Sequence, residues 1–256
     1  MTDGQIILLC GCIVLTTFTV EGIAGFGATV MALPFVALML GVEKAVPLLS
    51  SCSVLLSLFI VCRARKQIDW RQYGFIVLHV GLGVPIGLAL MDVLPKVWLL
   101  SILAGFMFFT GIRGLLTLKQ ASVPETVVPS KGGKNLLYRF ILFCGGIIQG
   151  AFSSGGPLVV MYASKAIVEK SAFRATLSML WVTTNLCMIG KWICTGNITR
   201  QKTGGMILAL LPFVVGGALL GNFLHNKVNQ FAFRVLVWTV LIIAGGILVL
   251  NLCAGK

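Results

Sequence analysis

Glu21-Gly22-Ile23-Ala24-Gly25-Phe26-Gly27 sets a carboxylate and three glycines inside an otherwise unbroken apolar run. Gln149-Gly150-Ala151-Phe152-Ser153-Ser154-Gly155-Gly156-Pro157 does nearly the same in the second half of the chain. The two stretches align with Glu21 on Gln149, Gly22 on Gly150 and Gly27 on Gly155, a constant shift of 128 positions. A bilayer tolerates non-helical backbone only where it is buried in protein or lines a polar cavity. Two such breaks in corresponding halves point to a binding site of the kind transporters build between repeats.

Working outward, the apolar character extends along the whole chain. Of 256 residues 58% are hydrophobic and only 11% charged, with a mean hydropathy of +1.02. A soluble domain carries about a quarter charged residues, whereas runs of roughly 17–25 apolar residues are the length of a bilayer crossing. The composition defines a polytopic integral membrane protein.

A net charge of +13 raises the question of nucleic acid. The cations, however, stand between the apolar runs: Arg63, Arg65, Lys66 and Arg71, then Lys119, Lys131 and Lys134, then Lys165, Lys170 and Arg174. Loop charge of this kind sets membrane topology. With no basic-aromatic module, nucleic acid is not an expected partner. Met1-Thr2-Asp3-Gly4 lacks a basic n-region and no small-residue cleavage site follows, so the first span is expected to be retained. Eight cysteines (Cys10, Cys12, Cys52, Cys62, Cys144, Cys187, Cys194 and Cys253) show no CxxC pair. They read as free thiols serving as small hydrophobes.

The segments repeat in order. Ile6–Val20 and Ala28–Leu40 flank the first break, each marginal as a full crossing, and Pro34 lies in the second. Spans at about Ala45–Cys62, Tyr73–Met91 and Val97–Leu118 follow, the first with Ser50, Ser53 and Ser57 on one side. After Lys119–Asn135, an expected exposed linker, come Leu136–Ile148, Leu158–Val168, Arg174–Cys194, Thr203–Phe223 and Phe231–Leu252. Gly83-x-x-x-Gly87 and Gly217-x-x-x-Gly221, small-residue pairs suited to close helix approach, are related by a shift of 134, as are Gly111 and Gly245.

An odd number of segments per half inverts the second half. The expectation is an all-α polytopic membrane protein of two inverted-topology repeats, with about five membrane segments each. The first two segments of each half are short and broken at the Gly-rich motif. Residues 1–118 form the first repeat, 119–135 a cytoplasmic linker and 136–256 the second repeat. The Arg63–Arg71 and Lys119–Lys134 loops then share the cytoplasmic side. Both termini fall outside, and Arg200 and Lys202 lie on the opposite side from the basic loops.

At the breaks, Pro157 suits the first helical position, Ser153 and Ser154 are capping residue types, and helix starts carry unpaired N–H groups with partial positive charge. Two converging starts make an anion site. Glu21, Gly22, Gly25, Gly27, Gln149, Gly150, Ser153, Ser154, Gly155, Gly156 and Asn185 are the candidate substrate-binding residues. Glu21 is the one carboxylate placed in an apolar run, where such groups face cavities and mark proton or ion pathways. Ionised it would repel an anion; protonated it would donate a hydrogen bond to one, so it is the expected proton-coupling residue. Gln149, its counterpart, does not titrate and would only orient substrate.

Asn185, with Thr183 and Thr184, either lines the cavity or bonds between helices. His79 reads as a packing histidine, and Lys191 and Arg113 as cations snorkelling to the interface. The sequence has no metal-ligand spacing, no Ser-His-Asp set and no phosphate loop, so neither a metal, a cofactor nor an enzymatic activity is expected.

The E-G-I-A-G-F-G and Q-G-A-F-S-S-G-G-P breaks in tandem halves, with Pro34 and Pro157 after them, resemble the TauE/SafE family of sulfite and organosulfonate exporters, also called TSUP permeases. The resemblance covers residues 5–252 and rests mainly on S-S-G-G-P and the repeat order. It implies an alternating-access secondary carrier in a prokaryotic cytoplasmic (inner) membrane. The implied partners are the lipid bilayer and a small anion: sulfite, a sulfonate, thiosulfate or a carboxylate. Glu21 and the two glycine segments match the family's breaks. Two alternatives stand beside this reading. A membrane thiol-redox carrier needs repeat-related cysteines, but Cys10 and Cys12 shift onto Tyr138 and Phe140. An anion channel would lack the trans-stimulation of a carrier. Sequence leaves the exact substrate and the oligomeric state open.

Overall fold

The computed structural model describes residues 3–118, 133–196, 204–225 and 227, with scattered positions between 235 and 250. Expectations for the linker residues 119–132, for 197–203 and for most of the last span fall outside the described residues. What is described is helical: α1 (Asp3–Ala24), α2 (Ala28–Leu40), α3 (Val42–Ala64), α4 (Trp70–Val93), α5 (Lys96–Leu118), α6 (Gly133–Phe152), α7 (Gly156–Ala166), α8 (Lys170–Cys194) and α9 (Gly204–Leu224), plus a 3-10 turn at Arg65–Gln67. Among the described residues, α1, α3, α4, α5, α8 and α9 are long and apolar enough to cross a membrane. The outward faces carry large apolar side chains such as Leu78, Leu82, Phe109, Leu208 and Phe223, as a lipid-facing surface requires.

Three segments differ from the sequence expectation. The helix before each break is longer: α1 runs to Ala24 and α6 to Phe152, so Glu21 and Gly22, like Gln149 and Gly150, lie in the final helical turns and not in the breaks. Gly133–Asn135, expected in the linker, belong to α6. Arg174, expected among loop cations, is a buried residue of α8. The physical reason at α1 is local. Nothing in its sequence stops the helix before Gly25, whose φ of +80° and N–H to the Glu21 carbonyl (2.6 Å) end it in a left-handed turn. Gly27, with φ +108°, then starts α2. In the second half Ser153 takes the left-handed conformation at φ +52° without being glycine, and Pro157 sits in the first turn of α7 as expected.

Packing interlocks the two halves. The fourth helix of each half lies along the first helix of the other: α4 on α6 and α9 on α1. The seams are made of glycine. A Cβ on Gly83 would stand 2.3 Å from the Phe143 carbonyl oxygen, and one on Gly150 2.2 Å from that of Val84. A Cβ on Gly221 would stand 2.6 Å from Gly22 Cα, and one on Gly217 3.0 Å from Phe18 Cβ. The sequence pairs related by shifts of 128 and 134 thus make the same contact twice. Gly111 against Ile242 and Gly245 against Phe108 extend the reciprocity to α5 and the last segment.

Between these seams α3 and α8 pack side by side. They run antiparallel. Ser53 in mid-α3 shares a cavity with Trp181 and Asn185, while Asp69, just past the end of α3, donates its N–H to Thr176 near the start of α8 (3.0 Å). α4 runs parallel to α8, tied by Tyr73 to Thr183 at one level and by Lys191 to the Leu88 carbonyl and the Asp92 carboxylate at another.

Candidate functional site

The two breaks meet. A buried cavity of about 10 Å³ is lined by Glu21, Gly27, Thr29, Val30 and Ser53 from the first half and Gln149, Ser153, Gly156, Trp181 and Asn185 from the second. That is room for about one water-sized body. Its polar walls are withdrawn from solvent: Glu21 is 3% exposed, and Gln149 and Asn185 1% each.

The helix starts at the breaks are already engaged by the chain's own side chains. Glu21 Oε2 accepts from the Ala28 N–H at 3.0 Å, and its Oε1 accepts from the Ser53 hydroxyl at 3.2 Å. Gln149 Oε1 accepts from the Gly155 N–H at 3.0 Å. The glutamate and the glutamine therefore do the same local work, each closing the break that follows it by capping the next helix. On the second side, Asn185 Oδ1 accepts from Gln149 Nε2 (2.8 Å) and from the Ser153 hydroxyl (3.0 Å). The expected serine caps are not formed. Ser153 donates to Asn185 and Ser154 Oγ donates to the Phe152 carbonyl (2.9 Å), while Gly155 stands at the N-cap position of α7.

Of the eleven candidate residues, Glu21, Gly27, Gln149, Ser153, Gly156 and Asn185 line this cavity. Gly22 and Gly150 lie in the helix seams, against Gly221 and against Val84 and Leu88. Gly25 packs on the Arg174 backbone and gives its carbonyl to Trp181 Nε1 at 2.8 Å. Gly155 is wedged against the Gly145 carbonyl and Gln149. Thr183 and Thr184 turn away from the cavity, toward Tyr73 and the Leu180 carbonyl. His79 packs on Phe75, with Nδ1 at 2.8 Å from that residue's carbonyl oxygen. Sequence reasoning missed Trp181, Thr29 and Val30. Ser53 was visible only as part of the α3 serine stripe.

Below Gly25, at the end of the bundle that carries the Arg65–Gln67 turn, three basic residues gather. His225 Nδ1 lies 2.6 Å from the Ile23 carbonyl oxygen, Lys170 Nζ donates to the His225 carbonyl, and the Arg174 guanidinium reaches Asn222. Burial lowers the His225 imidazole below its ordinary value, and nearby Arg174 and Lys170 add to this; the bond to Ile23 opposes it. A neutral His225 therefore contributes stability that is full above pH ~6.5 and is lost as pH falls through the lower folded value. No carboxylate among the described residues offsets the two cations facing it. The wild type should melt at a lower temperature at pH 5.5 than at pH 7.5, and His225→Gln should narrow the gap.

Helix breaks meeting at a small buried polar cavity, inside a bundle whose outer faces suit lipid, define a polytopic membrane protein with a polar site at its centre. The chain belongs to the TauE/SafE sulfite exporter family, whose model matches residues 9–248. It is 29% identical over 182 residues to the "Probable inner membrane transporter protein TsaS" of Comamonas testosteroni, covering 71% of this chain and 72% of that protein. No solved structure matches the chain.

Proposed function

We propose that the protein is a secondary carrier that moves a small sulfur-containing anion, sulfite or an organosulfonate, across a prokaryotic inner membrane by alternating access. The observation that carries this reading is the meeting of both breaks at one buried cavity, with polar groups supplied by the two halves. Family membership and the printed name of the Comamonas relative support the substrate class and the membrane. The antiparallel α3 and α8, with the reciprocal seams, support two repeats of opposite orientation. Placing the Arg63–Arg71 loop and the linker in the cytoplasm puts both termini outside. Sulfite or a sulfonate, as an anion leaving a cell that is negative inside, gains about 2.3 kcal/mol per charge per 100 mV, which favours export.

Glu21 is the coupling residue in this reading. Its carboxylate takes the N–H at the start of α2, the position an anion would claim. Substrate binding there requires the carboxylate to yield, and a proton on Glu21 turns it from competitor into donor. Gln149 performs the same cap without titrating. In liposomes, sulfite, taurine-like sulfonates, thiosulfate and carboxylates should be separated by flux, and counterflow should show trans-stimulation. Glu21→Gln should retain flux and flatten its pH dependence. An unchanged pH profile in that variant would remove the coupling role, and a lack of trans-stimulation would remove the carrier.

A further inference from the structure

The Arg174 guanidinium is short of acceptors. Its residue is only 7% exposed, its Nε has no hydrogen-bond partner, and Nη1 and Nη2 share one oxygen, Asn222 Oδ1, each at 3.3 Å. A guanidinium presents five N–H donors, and a buried cation is costly unless an anion or several acceptors meet it. Among the described residues no carboxylate pairs with Arg174 or with Lys170.

Position adds to the deficit. Lys170 and Arg174 occupy the first turns of α8, whose positive dipole end disfavours them. The carbonyl ends of α1 and α9 offer relief, but His225 and Lys170 take the carbonyls of Ile23 and His225. Among the described residues Arg174 is left facing Asn222 alone. It is also linked to the cavity through two contacts. Its Cα would stand 2.8 Å from a Cβ on Gly25, and Gly25 gives its carbonyl to Trp181, which lines the cavity wall.

We infer that Arg174, with Lys170 and Asn222, forms a second binding station for a small oxyanion, one step below the central cavity at the bundle end bearing the basic Arg63–Arg71 loop. The inference rests on the transport reading above for its role, though not for its chemistry. A planar fork of donors suits two oxygens of a sulfite, sulfate or sulfonate group. The station gathers anions on that face and hands them to the cavity when the Gly25 turn moves. A lipid headgroup would present the same phosphate-like oxygens, so the assay must separate the two sources.

Asn222→Asp is the decisive variant, because it gives Arg174 a tethered carboxylate. It should fold at least as stably as wild type. In zwitterionic liposomes it should raise the sulfite KM about tenfold or more from the face bearing the Arg63–Arg71 loop, with a far smaller change from the opposite face. Arg174→Gln should show the same sidedness. Folded variants whose KM on that face stays within about twofold of wild type would overturn the proposal. So would an effect present only in vesicles containing phosphatidylglycerol, which would assign the site to lipid. If the wild type moves no sulfur oxyanion, the transport reading fails separately. The station is then decided by binding: thermal stabilisation by sulfite or sulfate should be lost in Asn222→Asp and kept in Asn185→Ala, and the reverse pattern sinks it.

Discussion

Gly87→Ala should prevent the bundle from assembling. A Cβ there would stand 2.0 Å from the Ile147 carbonyl oxygen and 2.7 Å from the Ala151 amide nitrogen. Both obstacles are backbone, so no rotamer change relieves them and α4 must move away from α6. Overpacking a core by a methyl group typically costs about 1–3 kcal/mol, and a rigid helix backbone as the obstacle puts this case at or above the upper end. Moving α4 also opens the contacts of Gly83 with Phe143 and of Gly146 with Val80 on the same seam. The control is Gly81→Ala on the same helix, where nothing lies within 4 Å of the added carbon. Alanine is the better helix former by about 1 kcal/mol, so that variant should match or exceed the wild type. Thermal denaturation followed by size-exclusion chromatography in detergent reads both. Equal melting of the two variants would mean that the glycine seam does not hold the halves together.

The second large effect is expected from Asn185→Ala. Its Oδ1 is the common acceptor of Gln149 Nε2 and the Ser153 hydroxyl. Removing it leaves the Ser153 hydroxyl without its acceptor and Gln149 Nε2 with only a 3.4 Å contact to Ser153 Oγ, and an unpaired buried donor costs about 1–3 kcal/mol. It also frees the Gln149 side chain that caps the second break. One such penalty, felt in the loaded state, corresponds to a tenfold or greater loss in kcat/KM. Initial rates of flux in liposomes should fall accordingly. Thr183→Ala, two residues away but turned toward Tyr73, should leave KM close to the wild-type value. Wild-type rates in Asn185→Ala would separate the polar cluster from transport.

Much of this arrangement was legible before any coordinates. Ala28–Leu40 was bounded correctly because glycine stands at both ends, Gly27 and Gly41. The shifts of 128 and 134 picked out glycines that pack across the halves, since the helices there come so close that a Cβ would strike the neighbouring helix. The extent of α1 and α6 was less legible. Glycine within the last turn was read as a helix stop, whereas Gly22 and Gly150 are there for contact with another helix. Trp181 gave no signal, because its bond to Gly25 joins residues 156 positions apart. Thr183 and Thr184 adjoin Asn185 in sequence, but successive helical residues point in different directions. Arg174 was hidden for a related reason: a cation near a span boundary reads as a loop charge, and only the packing of Gly25 against its backbone reveals that it is buried.

The exchange of fourth helices bears on how the molecule is made. Gly22 finds its partner only when Gly221 exists, so α1 leaves the ribosome with its glycine seam uncovered while nearly two hundred further residues are translated. During that interval the insertion machinery or neighbouring lipid must shelter the glycine face of α1. A chain truncated after α5 would hold both α1 and α4 and yet bury neither seam. Biogenesis therefore becomes productive late, when α9 docks, and co-translational quality control would act on an intermediate that holds most of its spans and the α4–α6 seam but lacks the α1–α9 seam.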